Sequence, residues 1–342
     1  MAAIFVEAAM PLLRTYREPL RGAPPYVAEF TPCIQPDFAL TPTRRNHLIG
    51  FGMAALAAIL FSFKAIVAKL LYRHQIDAIT LMSLRLGFAA PVFLVIATLE
   101  TWRARLRGDR LSHREWRQIV LLGCLGYYLS SFLDFWGLQY IAVALERLIL
   151  FLTPTLVLLI SVLFLRKVIE RRQLWALAIS YAGMILVFIE HLRVDGGDVL
   201  LGSVLVFAAA LAYAGYLVMS GELVARLGTL RLVSYVMLVS TSLTLVHYLL
   251  VHGLGDLAQP RAVLELSLIN GLVCTVAPVF LTMFAIARIG APNASQLSML
   301  GPVSLLFFGH WLLGESITPT QIAGTAVVLV GIWSLTRAPS VV

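Results

Sequence analysis

Five charged side chains lie inside long apolar stretches of this chain: Lys64, Arg85, Asp134, Glu146 and Arg147. If the stretches cross a membrane, each buried charge costs roughly 2.5–3.5 kcal/mol on the insertion scale. Such charges usually face an aqueous cavity or pair with each other, and they mark ion or substrate paths. Three cations and two carboxylates together are suited to binding a carboxylate, an amine or a proton.

These charges are open to two interpretations. In the first, they line a solute cavity: a cation binds an anionic group of the solute, and Asp134 or Glu146 binds an amine or a transported proton. In the second, they fix the packing of helices as ion pairs, for example Asp134 with Lys64 and Glu146 with Arg85. Loss of activity in a point mutant would not separate the two, because breaking a buried pair is costly in either case.

Further candidates for solute binding carry no charge or lie at the end of an apolar stretch. Pro154 and Pro302 interrupt two stretches, where proline frees a backbone carbonyl for a solute or simply kinks the helix. Asn293 and Gln296 share a helix face and either bind solute or join helices. Glu315 closes the stretch that contains Pro302, which favours a role as a gate or cap. Five aromatic residues are expected either to line the cavity or to pack between helices: Tyr127, Tyr128, Trp136, Tyr213 and Tyr216.

The elements that position these residues follow from composition. Of the 342 residues, 60% are hydrophobic and 13% are charged, against roughly 45–50% and 25% in soluble domains. Runs of about 20 apolar residues span a bilayer as helices, because lipid leaves the backbone no other hydrogen-bond partner. We therefore predict an all-α integral membrane protein with ten transmembrane helices at 47–72, 78–100, 117–139, 143–165, 172–190, 199–221, 231–252, 264–287, 292–314 and 317–336.

The basic residues predict how the chain is oriented. Nineteen arginines and lysines lie in the termini and the connections on one side of the predicted helices, and three lie on the other. This bias predicts that both termini are cytoplasmic, and it places the five charges in the outer half of the inner membrane. The net charge of +8 is then a topology signal, and nucleic acid is not expected as a partner. Residues 1–45, rich in proline, are expected to form a disordered cytoplasmic tail.

The two halves of the chain resemble each other. Shifting residues 132–184 by 148 places them on 280–332, so that Pro154 meets Pro302, Gln173 meets Gln321 and Gly183 meets Gly331. Five helices is an odd number, so the second half must enter the membrane inverted. We predict two five-helix repeats, residues 46–191 and 197–338, with a solute site between them near the membrane centre.

Several motifs of the sequence can be compared with known families: Ser62-Phe63-Lys64-Ala65-Ile66, Leu84-Arg85, Glu146-Arg147-Leu148-Ile149-Leu150 with Pro154-Thr155, Gly314-Glu315, and Gln321 with Gly324 and Gly331. Together they resemble the drug/metabolite transporter superfamily, specifically transporters with two EamA domains. The resemblance covers about residues 47–338. The family that the chain resembles transports a broad range of substrates. One departure is that Lys167 stands where the second half has Glu315.

The resemblance implies a secondary transporter that exports amino acids or similar small metabolites by alternating access. We expect a small-molecule solute and the lipid bilayer as partners, a proton as a coupling ion, no cofactor or metal, and a monomer or homodimer. The alternative is a membrane-embedded sensor, assembly factor or unrecognised enzyme. Phosphate-binding GxxxxGK[ST], HExxH and GxSxG motifs are missing from the sequence, which argues against ATP hydrolysis and against familiar enzyme classes.

Overall fold

The computed structural model describes residues 44–137, 140–141, 143–166, 169–188, 198–253, 259–313 and 318–336. In these ranges every regular element is helical. The predicted tail up to residue 43 and the predicted gate Glu315 lie outside the described residues. The helices are α1 (Arg44–Tyr72), α2 (Ala78–Leu106), α3 (His113–Gly123), α4 (Ser130–Gly137), α5 (Val143–Leu150), α6 (Thr153–Leu165), α7 (Arg171–Phe188), α8 (Val199–Leu227), α9 (Thr229–Val251), α10 (Arg261–Gly271), α11 (Ala277–Leu297), α12 (Leu300–Leu313) and α13 (Pro319–Thr336).

Seven helical stretches in the described residues are long and apolar enough to cross a membrane. An eighth, Pro319–Ser334, is apolar but shorter. The prediction of an all-helical membrane fold is therefore confirmed. Seven full spans are fewer than ten, so the ten-helix count stays a prediction.

Polar caps and glycines define where several helices begin and end. Asp77 caps α2, because its side chain accepts hydrogen bonds from the backbone N–H groups of Ile79 and Thr80. At Gly228 the backbone adopts φ 79°, which separates α8 from α9. Gly290 has φ 78° and divides α11 into two segments just before Pro292. Such positive φ values favour glycine, which lacks a Cβ.

Two π-helical turns interrupt long helices next to buried glycines. Cys124–Leu129 joins α3 to α4, and Leu272–Val276 joins α10 to α11. The Thr275 hydroxyl donates to the carbonyl of Asn270 at 2.8 Å, and the Ser130 hydroxyl donates to the carbonyl of Gly126. π-helical turns occur frequently at functional sites, and these hydroxyls reappear in the cavity described below.

α7 and α13 cross with their backbones in contact. A Cβ at Gly183 would lie 2.6 Å from the carbonyl oxygen of Gly324. A Cβ at Gly331 would lie 2.9 Å from the carbonyl oxygen of Ala176. Residue numbers therefore rise along one helix as they fall along the other, so the pair is antiparallel. Small residues permit this approach, which drives helix association in lipid.

Polar contacts hold α9 at both of its ends. At the start of α9, Arg231 donates from Nη1 to Asp109 at 2.7 Å, and just before it, at the end of α8, Arg226 pairs with Glu115 at 3.2 Å. Near the other end, His252 contacts the Asp77 carboxylate at 3.2 Å. In between, the Ser240 hydroxyl donates to the carbonyl of Gly123 at 2.7 Å, which fixes α9 against α3.

Candidate functional site

A cavity of about 200 Å³ lies among the helices of both halves of the chain. Four of the five charged residues singled out from the sequence line it, and the fifth, Glu146, lies behind the wall with 2% of its surface exposed. The four charged residues that line the cavity come from four different helices, α1, α2, α4 and α5. The polar residues that line the cavity are Ser62, Lys64, Arg85, Tyr127, Ser130, Ser131, Asp134, Arg147, Thr153, Tyr213, Thr275 and Ser298.

The position of Lys64 depends on the contact between its helix, α1, and the start of α12. Two residues earlier, the Ser62 hydroxyl donates to the carbonyl of Gly301 at 2.6 Å. A Cβ at Gly301 would lie 3.0 Å from this hydroxyl, so a small residue is needed there. The Lys64 ammonium lies 5.8 Å from the centre of the Phe135 ring, a cation–π contact.

Arg85 is buried, with 2% of its surface exposed, and it contributes to the cavity lining. Its Nε and Nη2 atoms have no hydrogen-bond partner. The expected structural pair of Glu146 with Arg85 is not among the ion pairs of the described residues. A buried guanidinium with free donors has given up its hydration without replacement, so Arg85 is poised to bind an anionic group.

The carboxylates are arranged differently from the proposed structural pairs. Glu146 pairs with its neighbour Arg147, with 3.2 Å between Oε2 and Nε. The Glu146 and Asp134 carboxyl groups also meet through a side-chain hydrogen bond, and Asp134 Oδ1 has no partner. No Asp134–Lys64 ion pair occurs in the part of the chain that the structure describes. The ion pairs proposed from the sequence are therefore wrong. Glu146 pairs with Arg147 instead, and the Lys64 ammonium lies over the Phe135 ring.

Tyrosines form one wall of the cavity. The Tyr127 and Tyr213 rings lie edge to face with centres 6.3 Å apart, and Tyr216 packs behind Tyr127 at 5.4 Å. Tyr128 does not line the cavity and instead contacts His247 at 3.3 Å. Two of the five aromatic candidates, Tyr127 and Tyr213, therefore reach the cavity.

Pro154 breaks the helix as predicted, but the freed carbonyl is not left for a solute. α5 ends at Leu150 and α6 begins at Thr153, with Pro154 in its first turn. Proline cannot donate to the carbonyl four residues earlier, and the Thr153 hydroxyl does so instead, 2.6 Å from the Leu150 oxygen. The next carbonyl, of Phe151, accepts from the Tyr181 hydroxyl at 2.9 Å.

The remaining uncharged candidates lie elsewhere or are only partly described. The Asn293 side chain accepts a hydrogen bond from Gln173 at 2.9 Å, and Gln296 donates to the Gln173 carbonyl at 3.3 Å. Both therefore join α11 to α7, outside the cavity lining, as the helix-joining interpretation proposed. Pro302 belongs to α12.

Sequence reasoning missed the hydroxyl residues of the lining, chiefly Ser62, Ser130 and Thr275. A signal was present, because Ser130 precedes Asp134 by four residues and so shares its helix face. Thr275 carried no such signal, since its place depends on the π-helical turn. Among the described residues no cluster of His, Cys, Asp and Glu could hold a metal ion.

Comparison with known proteins identifies the family. The model of the EamA-like transporter family matches residues 48–189 and again 200–337. This chain belongs to the EamA-like transporter family. As a member, it is a multi-pass membrane transporter and not an enzyme. The resemblance noted in the sequence is confirmed.

Relatives with assigned names are transporters as well. The chain is 27% identical over 289 residues to the uncharacterized transporter YcbK of Bacillus subtilis, covering 82% of this chain and 90% of the relative. It is 26% identical over 271 residues to an uncharacterized transporter of Archaeoglobus fulgidus, covering 77% and 90%. It is also 24% identical over 260 residues to the S-adenosylmethionine/S-adenosylhomocysteine transporter of Chlamydia trachomatis, covering 71% and 80%.

A solved crystal structure shares the fold of this family member. The superposition gives a TM-score of 0.70 at 17% sequence identity and covers 86% of this chain and 98% of the other. At this identity the match concerns the fold alone. The fold of this chain therefore also occurs in a solved structure.

Proposed function

We propose that this EamA-like transporter is a secondary transporter that exports small zwitterionic metabolites, such as amino acids, by alternating access. One observation carries the proposal: the cavity holds a buried guanidinium with free donors and a carboxylate oxygen without a partner, on Arg85 and Asp134. An amino acid offers the complementary carboxylate and ammonium groups. Charge-assisted hydrogen bonds to both ends would satisfy these atoms.

The size and walls of the cavity favour a small solute. Its volume of about 200 Å³ lies below the roughly 300–1,000 Å³ typical of sites for drug-sized ligands. Phe61 and Phe151 add apolar surface to the tyrosine wall, which suits a side chain that is partly apolar. S-adenosylmethionine, the solute named for one relative, carries the same amino acid group and belongs among the candidates.

We further propose ten spans arranged as two inverted repeats, residues 46–191 and 197–338, following a cytoplasmic tail at 1–45. Features 148 residues apart support the repeats: the two π-helical turns begin at Cys124 and Leu272. The contact of Gly183 with Gly324 matches that of Gly331 with Ala176 under the same shift. The antiparallel crossing of α7 and α13 is the arrangement expected of the last helix in each inverted half.

The local capping at the start of these last helices supports the same repeat. Gln173 accepts a hydrogen bond from the backbone N–H of Glu170 at 3.3 Å. Gln321 accepts one from the N–H of Thr318 at 3.0 Å, and both residues lie 148 positions further along. Because side-chain hydrogen bonds at helix starts depend on local geometry, their repetition favours a duplicated unit.

The membrane in which the protein lies, its orientation, the direction of transport and the oligomeric state are further parts of the proposal. The bias of basic residues supports cytoplasmic termini in an inner membrane. Export, a coupling proton and a monomer or homodimer extend the family resemblance to this chain. A fluorescent tag at either terminus that faces the periplasm would overturn the orientation.

A thermal-shift screen of the purified protein followed by counterflow tests the function. The screen would compare the twenty L-amino acids with S-adenosylmethionine, organic acids and nucleosides. Hits are then loaded into proteoliposomes, and exchange for external labelled solute is measured. Zwitterionic hits that exchange support the proposal. Hits that bind without exchange would favour the sensor alternative, and a changed solute mass would reveal an enzyme.

The matched control in this screen is a variant outside the cavity. Arg103→Met removes an arginine paired with Glu100 on the exposed surface, so it should leave stabilisation by ligand unchanged. Stabilisation confined to nucleosides or dicarboxylic acids would contradict the zwitterion class.

A further inference from the structure

Two carboxyl groups from different helices meet in the wall of the cavity. Asp134 on α4 lines the cavity, whereas Glu146 on α5 lies behind it. The two side chains are joined by a hydrogen bond. Oδ1 of Asp134 is buried without a hydrogen-bond donor, whereas Oε2 of Glu146 lies 3.2 Å from Nε of Arg147.

A hydrogen bond between two carboxyl groups requires a proton on one of them. Ionised carboxylates are acceptors only, and two in contact repel each other strongly where water is excluded. The arrangement is therefore complete when the pair holds one proton in total. Such a proton belongs to the pair and not to either residue.

Positive charges surround the pair. Arg147 contacts Glu146 directly at 3.2 Å, and Lys64 acts on both carboxyl groups through its charge. Titratable and charged groups that act on the pair are Lys64 and Tyr72 on α1, Arg85 on α2 and Arg147 on α5. Tyr127 beside α4 and Tyr213 on α8 line the same cavity, and Cys274 beside α11 lies near Lys64 and Arg85.

We propose that Asp134 and Glu146 together hold one exchangeable proton in the empty cavity, and that a primary ammonium group of the solute displaces it. This inference rests on the proposed transport function. In the exchange an O–H bond of the pair breaks, the proton leaves to the solvent on the open side, the ammonium group takes its place at Asp134, and the solute carboxylate binds at Arg85. Because a zwitterion carries no net charge, each exchange moves one positive charge with the proton. Solute and proton then occupy the site in turn, which couples their movements in opposite directions.

The two carboxyl groups have different parts in this exchange. Asp134 faces the cavity and can contact the ammonium group directly, whereas Glu146 is shielded by Arg147. After the proton leaves, the ion pair with Arg147 keeps Glu146 compensated, and the solute compensates Asp134. An amide in place of Glu146 would donate permanently to Asp134, so the site could still bind solute but could no longer exchange a proton.

Infrared spectroscopy of the solute-free protein tests the shared proton without any solute. The wild-type protein at neutral pH should show the C=O stretch of a protonated carboxylic acid, which disappears in Glu146→Gln. Glu265→Gln is the control, because Glu265 is exposed and pairs with Arg261. The same band in wild type and in both variants, or no band in wild type, would overturn the shared proton.

Transport tests the coupling. Proteoliposomes with an acidic interior and a membrane potential held at zero should accumulate a labelled mixture of the twenty L-amino acids, with an equilibrium ratio of about tenfold per pH unit at one proton per solute. Glu146→Gln should lose this accumulation, while Glu265→Gln, on the exposed surface, keeps both accumulation and counterflow. Accumulation by Glu146→Gln at the wild-type level would overturn the proposal.

The failures of the two proposals are distinguishable. If the wild-type protein shows no counterflow with any solute, the transport function fails, whatever the infrared band shows. If counterflow occurs but a pH gradient drives no accumulation, the transporter proposal stands and the proton exchange is refuted. Should Glu146→Gln fail to fold, acid release on adding the amino acid mixture to unbuffered wild-type protein gives the answer: about one proton per bound solute supports the exchange, and none contradicts it.

Discussion

Arg85→Met separates a binding role of this arginine from a structural one. The guanidinium is buried and forms no ion pair among the described residues, so its removal leaves no carboxylate stranded. Methionine keeps the unbranched stem and removes a desolvated charge. The free energy of unfolding should therefore not fall. A structural ion-pair partner would instead cost about 3–5 kcal/mol on removal.

The expected loss of binding follows from the two free donors. Hydrogen bonds to a charged group contribute about 1.5–3 kcal/mol each, so losing both Nε and Nη2 should weaken solute binding about 100-fold or more. Thermal unfolding and isothermal titration with the solute found in the screen measure the two quantities on the same sample.

The same substitution at Arg231 provides the matched control. Arg231 is buried and donates to Asp109 from both Nη1 and Nη2, at 2.7 and 3.2 Å. Arg231→Met should lower stability by about 1–3 kcal/mol and leave solute affinity unchanged. The reasoning is refuted if Arg85→Met is the less stable of the two variants, or if it binds solute as tightly as wild type.

Two further predictions concern packing and pH. Gly183→Ala should lower the melting temperature by several degrees, because its Cβ would meet backbone atoms at 2.6 Å, whereas Gly215→Ala, with open space around it, should not; equal melting of both would contradict this. Burial would raise the pKa of Asp77, but hydrogen bonds from Thr80 and His252 outweigh it and lower the pKa. The stability that Asp77 adds is thus present above about pH 4 and lost on further acidification, so Asp77→Asn should flatten the melting profile there.

The sequence was sufficient to locate the cavity because charge inside an apolar stretch is rare and needs a partner. Lys64, Arg85, Asp134 and Arg147 are far apart along the chain, yet each stood out from its own neighbours alone. The physical cost of burying them made a common cavity the economical interpretation. Individual partners were beyond the sequence, since the Glu146–Arg147 pair depends on side-chain directions at the start of α5.

The amide and proline candidates show where spacing stops being informative. Asn293 and Gln296 do share a helix face, but that face is turned toward Gln173 on α7. Nothing within α11 specifies its rotation relative to the cavity. Likewise, Pro154 had to break its helix, but whether the freed carbonyl met a solute or the Thr153 hydroxyl depended on one neighbouring side chain.

The crossing of α7 and α13 limits how this transporter can change shape. At this crossing the glycines lie so close to the backbone of the opposite helix that even a Cβ would meet its carbonyl oxygens. Little side-chain volume therefore separates the two helices. The two helices should keep their mutual distance while other helices rearrange around the cavity. Spin labels on their exposed faces would then report a constant separation, and probes on α1 and α5, beside Lys64 and Arg147, would report the movement.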